Sequence, residues 1–266
     1  MATNSDIPAG QASSMTPDYE VKLLLKPDAV LNSDNELTST VLAAFDIRPG
    51  VIKQTIQFLD TDGKDLYTIG WSARVRKTEN EDGLELTYKK RYTITYNNID
   101  AALNEANGNG FNASERKYDA QVEWGYEKKT LSISRKKSVD SITRGMDLPD
   151  KMSSRSTLIE EAPDKFDNWG GHNKWGTGML ARSRIFGPVH SKRHVGKWEG
   201  TKVFLEIWPL RNSDGTGYEY IVEASLKTET HMDASEKHIS LISYLKGEGW
   251  FLNQDSLKTQ LIMERY

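Results

Sequence analysis

The chain has 266 residues, 37% of them apolar and 27% charged, with a formal net charge of −3. That length suits one domain with insertions, and the near-neutral balance gives no long-range attraction to nucleic acid or to an anionic membrane. There are no cysteines, which excludes disulfides, thiolate metal centres and cysteine nucleophiles and fits a reducing, cytoplasmic setting.

No apolar run approaches the ~18 residues of a membrane span. Residues 1–17, rich in Ala, Ser, Thr, Asn, Gly and Pro, lack the cationic and apolar segments of a signal peptide and read as a disordered leader, with one domain over 18–266. Residues 18–26 read as a strand stopped by Pro27, and 37–45 as a helix behind a cap region at 33–36. Strands are expected over 51–59, 70–77 and 84–95, separated by Thr61-Asp62-Gly63 and Glu81-Asp82-Gly83. Residues 97–115 read as a mobile or partly helical excursion, 117–124 as a strand and 131–134 as a short one. Residues 154–166 have helical character, and 169–175 form a loop bearing aromatic residues; insertions are placed near 92–115 and 137–180. Strands over 189–198 and 202–209 form a hairpin about Glu199-Gly200. A strand at 218–228, an amphipathic helix at 234–245 ending at Gly247 and a short helix at 254–263 complete the chain. Many antiparallel strands with a few helices define an α+β protein.

Side chains alternate sides along a strand, and here one side is charged. Asp18, Glu20 and Lys22 share a face, as do Ser72, Arg74 and Arg76, and Glu85, Thr87, Lys89 and Arg91. Lys117, Asp119, Gln121 and Glu123 share another, as do Phe204, Glu206 and Trp208, and Glu219, Ile221, Glu223, Ser225 and Lys227. Any one of these faces is most simply a solvated face. Six together hold clustered bases suited to phosphate oxygens and clustered acids suited to Mg²⁺ or Mn²⁺. Closed into a barrel, they form a metal–polyphosphate site.

Asp18-x-Glu20-x-Lys22 resembles the Glu-x-Glu-x-Lys signature of the CYTH superfamily, the triphosphate tunnel metalloenzymes. Phe58-Leu59-Asp60-Thr61, Leu66 and Trp71-Ser72-Ala73-Arg74-Val75-Arg76 are similar to that family's next passage, and Leu86-Thr87-Tyr88-Lys89 to its Leu-Thr-x-Lys strand. Ser191-Lys192-Arg193, Glu206 and Tyr220-Ile221-Val222-Glu223 follow in the family's order. The resemblance implies an eight-stranded antiparallel barrel, a tunnel with flanking helices. It implies phosphate binding by Lys22, Arg74, Arg76, Lys89 and Arg193, with Arg91 and Lys227 beside them. It also implies Mg²⁺ or Mn²⁺ held by Asp18, Glu20, Glu123, Glu206 and Glu223. Glu20, Lys22, Arg74, Arg76 and Lys89 are the candidate catalytic set. Asp18 stands where the signature has glutamate, and Ser225 where the family's C-terminal pair has its second glutamate.

The expected activity is metal-dependent hydrolysis of inorganic triphosphate, a nucleoside triphosphate or thiamine triphosphate. Alternatives are adenylyl cyclisation, a repurposed tunnel acting on a diphosphate-bearing or uncharged organic substrate, and a non-catalytic polyphosphate-binding module. The partner is a small phosphate-bearing molecule, not nucleic acid or membrane. His190 and His194 read as phosphate-side or surface residues, and no Gly-x-Ser-x-Gly or Walker motif occurs. Of the seven tryptophans, Trp208 shares the inward face with Glu206. Trp169 and Trp175 lie in a loop that either packs or forms a lid over an organic moiety.

Overall fold

Nine segments form strands among the described residues, most of them alternating apolar and polar side chains. They are β1 Asp18–Leu25, β2 Ile52–Asp60, β3 Trp71–Thr78, β4 Leu84–Ile94, β5 Asp119–Trp124, β6 Lys129–Val139, β7 Arg184–Trp198, β8 Thr201–Arg211 and β9 Tyr218–Thr228. The computed structural model describes residues 13–141, 143–255 and 258–266. The strands close in the order β1-β5-β6-β4-β3-β2-β7-β8-β9. Closure leaves no strand edge open to another chain. The α+β barrel expected from sequence is the observed one, with nine strands rather than eight. All pairings are antiparallel except β1 with β5, which run parallel with Glu20 opposite Glu123.

Helices punctuate the barrel: α1 Pro27–Val30, α2 Ser39–Ala44, α3 Asp65–Thr68, α4 Ile99–Gly108, α5 Lys151–Glu160, α6 Asp164–Asp167, α7 Trp175–Ala181, α8 His231–Gly247 and α9 Lys258–Arg265. Four are started by a side chain that accepts a first-turn N–H: Thr38 from Val41, Asn98 from Ala101, Asp150 from Ser153 and Thr230 from Asp233. The β7–β8 hairpin turns at Glu199 (φ 45°) and Gly200 (φ 73°), the double positive φ that matches strand twist. No helix among the described residues is long and apolar enough to cross a membrane.

The main core lies outside the barrel. Val21, Leu23, Leu86, Tyr88, Val122, Leu205 and Leu226 pack there with Ala234, Leu241 and Leu245 of α8. The 97–180 region covers another side. Trp71 is its centre, with ring centroids 5.2 Å from Phe166, 5.3 Å from Trp169 and 6.3 Å from Phe111. Trp169 is therefore core packing on the outer face of β3 and not a lid, and Trp175 packs beside it on Phe166 at 6.2 Å. Residues 97–115, expected to be mobile or partly helical, contain α4 and a loop anchored by Phe111.

A second, smaller core lies on the inward face. Ile56, Phe58, Trp208 and Leu210 meet Ile262 and Met263 of α9. Burying those two α9 side chains contributes roughly 1.5–3 kcal/mol each, which docks the helix onto inner faces of β2, β7 and β8. Residues 1–12 of the expected leader lie outside the described residues. Ser13 and Ser14, also assigned to it, are paired instead: Ala113 N donates to Ser13 O at 2.9 Å and Ser14 bridges to Asn112.

Candidate polyphosphate tunnel

Cross-strand register turns the charged faces of separate strands into one lining. Arg76 lies opposite Glu85, Arg74 opposite Thr87 and Ser72 opposite Lys89. Arg193 lies opposite Glu206, Glu206 opposite Glu223 and Lys22 opposite Ser225. Because the barrel closes, all of these side chains except Glu85 bound a single cavity of about 440 Å³, a size typical of small-molecule sites. Nine lysine or arginine side chains line it against four glutamates. The lining therefore carries a formal excess of positive charge, which suits an anion.

Inside, each carboxylate is held by cations, as burial of charge requires. Lys22 Nζ sits 3.0 Å from Glu20 Oε2 and 3.4 Å from Glu123 Oε2, while Lys89 Nζ is 2.7 Å from Glu123 Oε1. Arg193 Nε donates to Glu206 Oε1 at 2.8 Å, and Trp208 Nε1 donates to Glu206 Oε2 at 2.9 Å. Lys258 Nζ bridges Glu206 Oε2 (3.2 Å) and Glu223 Oε1 (2.8 Å), and lies 4.5 Å from the Trp208 ring centroid. Glu85 spans Arg74 and Arg76, 2.7 Å from each. Donors and acceptors are still left over: Nε of Arg74, Nε of Arg76 and Oε2 of Glu223 are buried without a hydrogen-bond partner. Arg91 bonds only Ser72 Oγ, at 3.1 Å, and among the described residues neither it nor Lys227 makes an ion pair. Of these groups, the Arg91 and Lys227 side chains line the cavity, whereas the three buried atoms are closed off from it.

The fields follow from that layout. Burial pushes the Glu123 carboxyl up, but Lys22, Lys89 and Arg91 outweigh it and hold it well below the usual carboxylate range. Glu20 is lowered in the same way, burial being overcome by Lys22 and Lys227. Glu206 is lowered by Lys258 and Arg193 against burial. Lys22 is raised, since Glu123, Glu20 and Glu223 outweigh its desolvation. Lys89 goes the other way: burial, then the like charges of Arg91 and Lys22, bring it down to about 8 although Glu123 opposes them. Burial and Arg76 lower Arg74 to about 10.

Of the residues expected from sequence, Glu20, Lys22, Arg74, Arg76, Lys89, Arg91, Glu123, Arg193, Glu206, Glu223 and Lys227 all line this cavity. Asp18 does not: it is exposed at the start of β1, where the strand has only just entered the sheet. The five carboxylates do not gather around one point. Glu20 and Glu123 share Lys22, and Glu206 and Glu223 share Lys258. Among the described residues no three histidine, aspartate or glutamate side chains are grouped to hold a metal ion. The donor set as placed does not fit the Mg²⁺ or Mn²⁺ site that the resemblance implied, because an ammonium sits where two of its carboxylates converge. His190 is exposed and bonds Thr55 (3.1 Å), while His194 is buried off the cavity, its imidazole pKa lowered by desolvation.

Two charged residues of the cavity, Lys136 and Lys258, escaped the sequence reading, as did Glu85, which pairs with Arg74 and Arg76 from outside the lining. Glu85 shares strand parity with Thr87, Lys89 and Arg91, which was a usable signal. Lys258 carried none, because nothing local says that a terminal helix docks onto inner strand faces.

The barrel fold is shared with solved structures of low sequence identity. One of them is HpAC1 from Hippeastrum, assigned as an adenylyl cyclase and described as having a dominant triphosphatase activity. The two share a TM-score of 0.54 at 16% identity over 93% of this chain and 96% of that one. A Bacillus halodurans protein assigned as an adenylate cyclase gives a TM-score of 0.47 at 10% identity, covering 94% and 98%. The PH1819 protein of Pyrococcus horikoshii gives 0.43 at 13%, covering 91% and 98%. No protein-family model and no curated protein matches the sequence.

Proposed function

We propose that the tunnel binds a small molecule carrying a chain of phosphates and hydrolyses a phosphoanhydride bond of a triphosphate. The observation that carries this reading is the excess of nine basic side chains over four acidic ones around one 440 Å³ cavity, with Arg91 and Lys227 making no ion pair among the described residues. The triphosphatase activity described for HpAC1 is a precedent on the same fold. Lys22, Arg74, Arg76, Lys89, Arg91, Arg193 and Lys227 would take the phosphate oxygens. Each charge-assisted hydrogen bond of this kind contributes roughly 1.5–3 kcal/mol. Water attacks the terminal phosphorus, the bridging P–O bond breaks and the leaving diphosphate carries its charge away among fixed cations. Stabilising that developing charge is the main task of a phosphoryl-transfer site. Mg²⁺ or Mn²⁺ enters this reading only by displacing Lys258 from Glu206 and Glu223.

The wall is not charged throughout. Phe58, Tyr67, Trp208 and Ile262 line the same cavity, which favours a triphosphate bearing an organic group over the bare inorganic chain. That leaves a second reading, attack by a ribose hydroxyl on the α-phosphorus with release of pyrophosphate, as in a cyclase.

A colorimetric phosphate-release panel tests the proposal with tripolyphosphate, nucleoside triphosphates, thiamine triphosphate and prenyl diphosphates, each with and without Mg²⁺ or Mn²⁺. Release from a triphosphate that is lost in Arg193→Ala supports hydrolysis, and pyrophosphate with a cyclic nucleotide supports the cyclase. If nothing is cleaved while tripolyphosphate still raises the melting temperature, the tunnel is a binding module.

A further inference from the structure

Glu85 lies close to the β3–β4 hairpin, between the two arginines of β3. Its Oε1 accepts from Arg74 Nη2 at 2.7 Å and its Oε2 from Arg76 Nη2 at 2.7 Å, while Thr87 Oγ1 donates to Oε1 at 3.1 Å. Two oxygens of one anionic group are thus shared between two guanidiniums, the arrangement in which arginine pairs hold a phosphate group. An internal pair serving only to neutralise two adjacent arginines would cover their buried donors. Here Nε of both Arg74 and Arg76 is buried and unpartnered, so the carboxylate satisfies each guanidinium only in part. Both side chains line the cavity, and Glu85 is not part of that lining.

Resting on the phosphate-binding reading above, we infer that Glu85 is a tethered anion that holds the Arg74–Arg76 pair in place of one phosphate group of the ligand, and so sets the length of phosphate chain the tunnel accepts. The two arginines bring two positive charges and Glu85 takes back one. A short chain fits among the remaining lysines and arginines without disturbing it. A longer chain gains the arginine pair only by displacing the carboxylate, so extra phosphates add little affinity while Glu85 is present.

Isothermal titration of pyrophosphate and tripolyphosphate into the wild type, Glu85→Gln and Glu85→Asp tests this, with melting temperatures as the check on folding. The wild type should bind the two anions with similar affinity. Glu85→Gln keeps the size and removes the charge, and should raise the tripolyphosphate-to-pyrophosphate affinity ratio at least about tenfold, the size of one freed charge-assisted contact. Glu85→Asp, one methylene too short to span both guanidiniums, should give a smaller rise in the same ratio. An unchanged or lowered ratio in a folded Glu85→Gln overturns the inference, and if that variant does not fold, an unchanged ratio in Glu85→Asp does so. Wild-type binding with an unchanged ratio removes only the role of Glu85. A wild type that binds neither anion removes the phosphate tunnel as well.

Discussion

Raising the pH from 7 to 9 titrates Lys89 while leaving the neighbouring Lys22 charged, and this separates two cations of one cavity. Desolvation, aided by Arg91 and Lys22, lowers Lys89 to about 8 from an ordinary value near 10.4. That depression corresponds to roughly 3 kcal/mol acting against the charged amine in the folded protein. For a base lowered on folding, the destabilisation is fully present below about pH 8 and disappears as pH rises from there toward the unfolded value. A phosphate anion reverses the balance, because it favours the ammonium. At pH 9 about nine-tenths of Lys89 is neutral in the free protein, so binding should take up about 0.9 proton there and only about 0.1 at pH 7. Calorimetry of tripolyphosphate binding in buffers of different ionisation enthalpy measures the uptake. Lys89→Met keeps the aliphatic stem and subtracts the ligand's own titration. Wild type and Lys89→Met taking up the same number of protons at pH 9 would refute the reasoning.

Lys258→Met leaves Glu206 and Glu223, 7% and 2% exposed, without their shared ammonium. It should cost about 3–5 kcal/mol in urea denaturation, as for other broken buried pairs. In that variant Mn²⁺ should raise the melting temperature more than in the wild type, since the carboxylate pair is open to another cation. Acid should destabilise the fold. Glu20, Glu85, Glu123 and Glu206 are all lowered, burial being outweighed by their lysine and arginine partners. Their stabilisation is present above the ordinary carboxylate value and is lost as pH falls through the folded ones, so denaturation midpoints should drop steeply below about pH 4. Trp169→Ala should lower the melting temperature through lost packing on Trp71 and leave tripolyphosphate affinity unchanged in a titration, which a lid residue would not do.

Strand parity made most of the tunnel legible, because a side chain's face depends only on odd or even position along the strand. β9 was readable to its ends, and Arg74, Lys89, Glu123 and Glu223 could be assigned to one interior before any coordinates. β6 was read far too short: it runs Lys129–Val139, and the basic run Arg135-Lys136-Lys137 hides a strand that pairs with β4 along its whole length. All nine strands had a local signal and only the resemblance implied eight, whereas the parallel β1–β5 pairing is a long-range fact with no local signature. The same holds for Lys258, since periodicity marked a helix near 254–263 without saying which surface it would meet. Asp18 shows the limit of a motif match. Its parity with Glu20 is right, but its place at the strand's start leaves it in solvent.

A crystal structure of the protein with tripolyphosphate tests the central claim most directly. The anion should lie inside the barrel, its oxygens bonded by Lys22, Lys89 and Arg193. A second cavity of about 390 Å³, on the outer surface among Lys117, Arg135, Lys137 and Lys165, is the competing basic site. Tripolyphosphate bound there with the barrel interior unchanged would contradict the account.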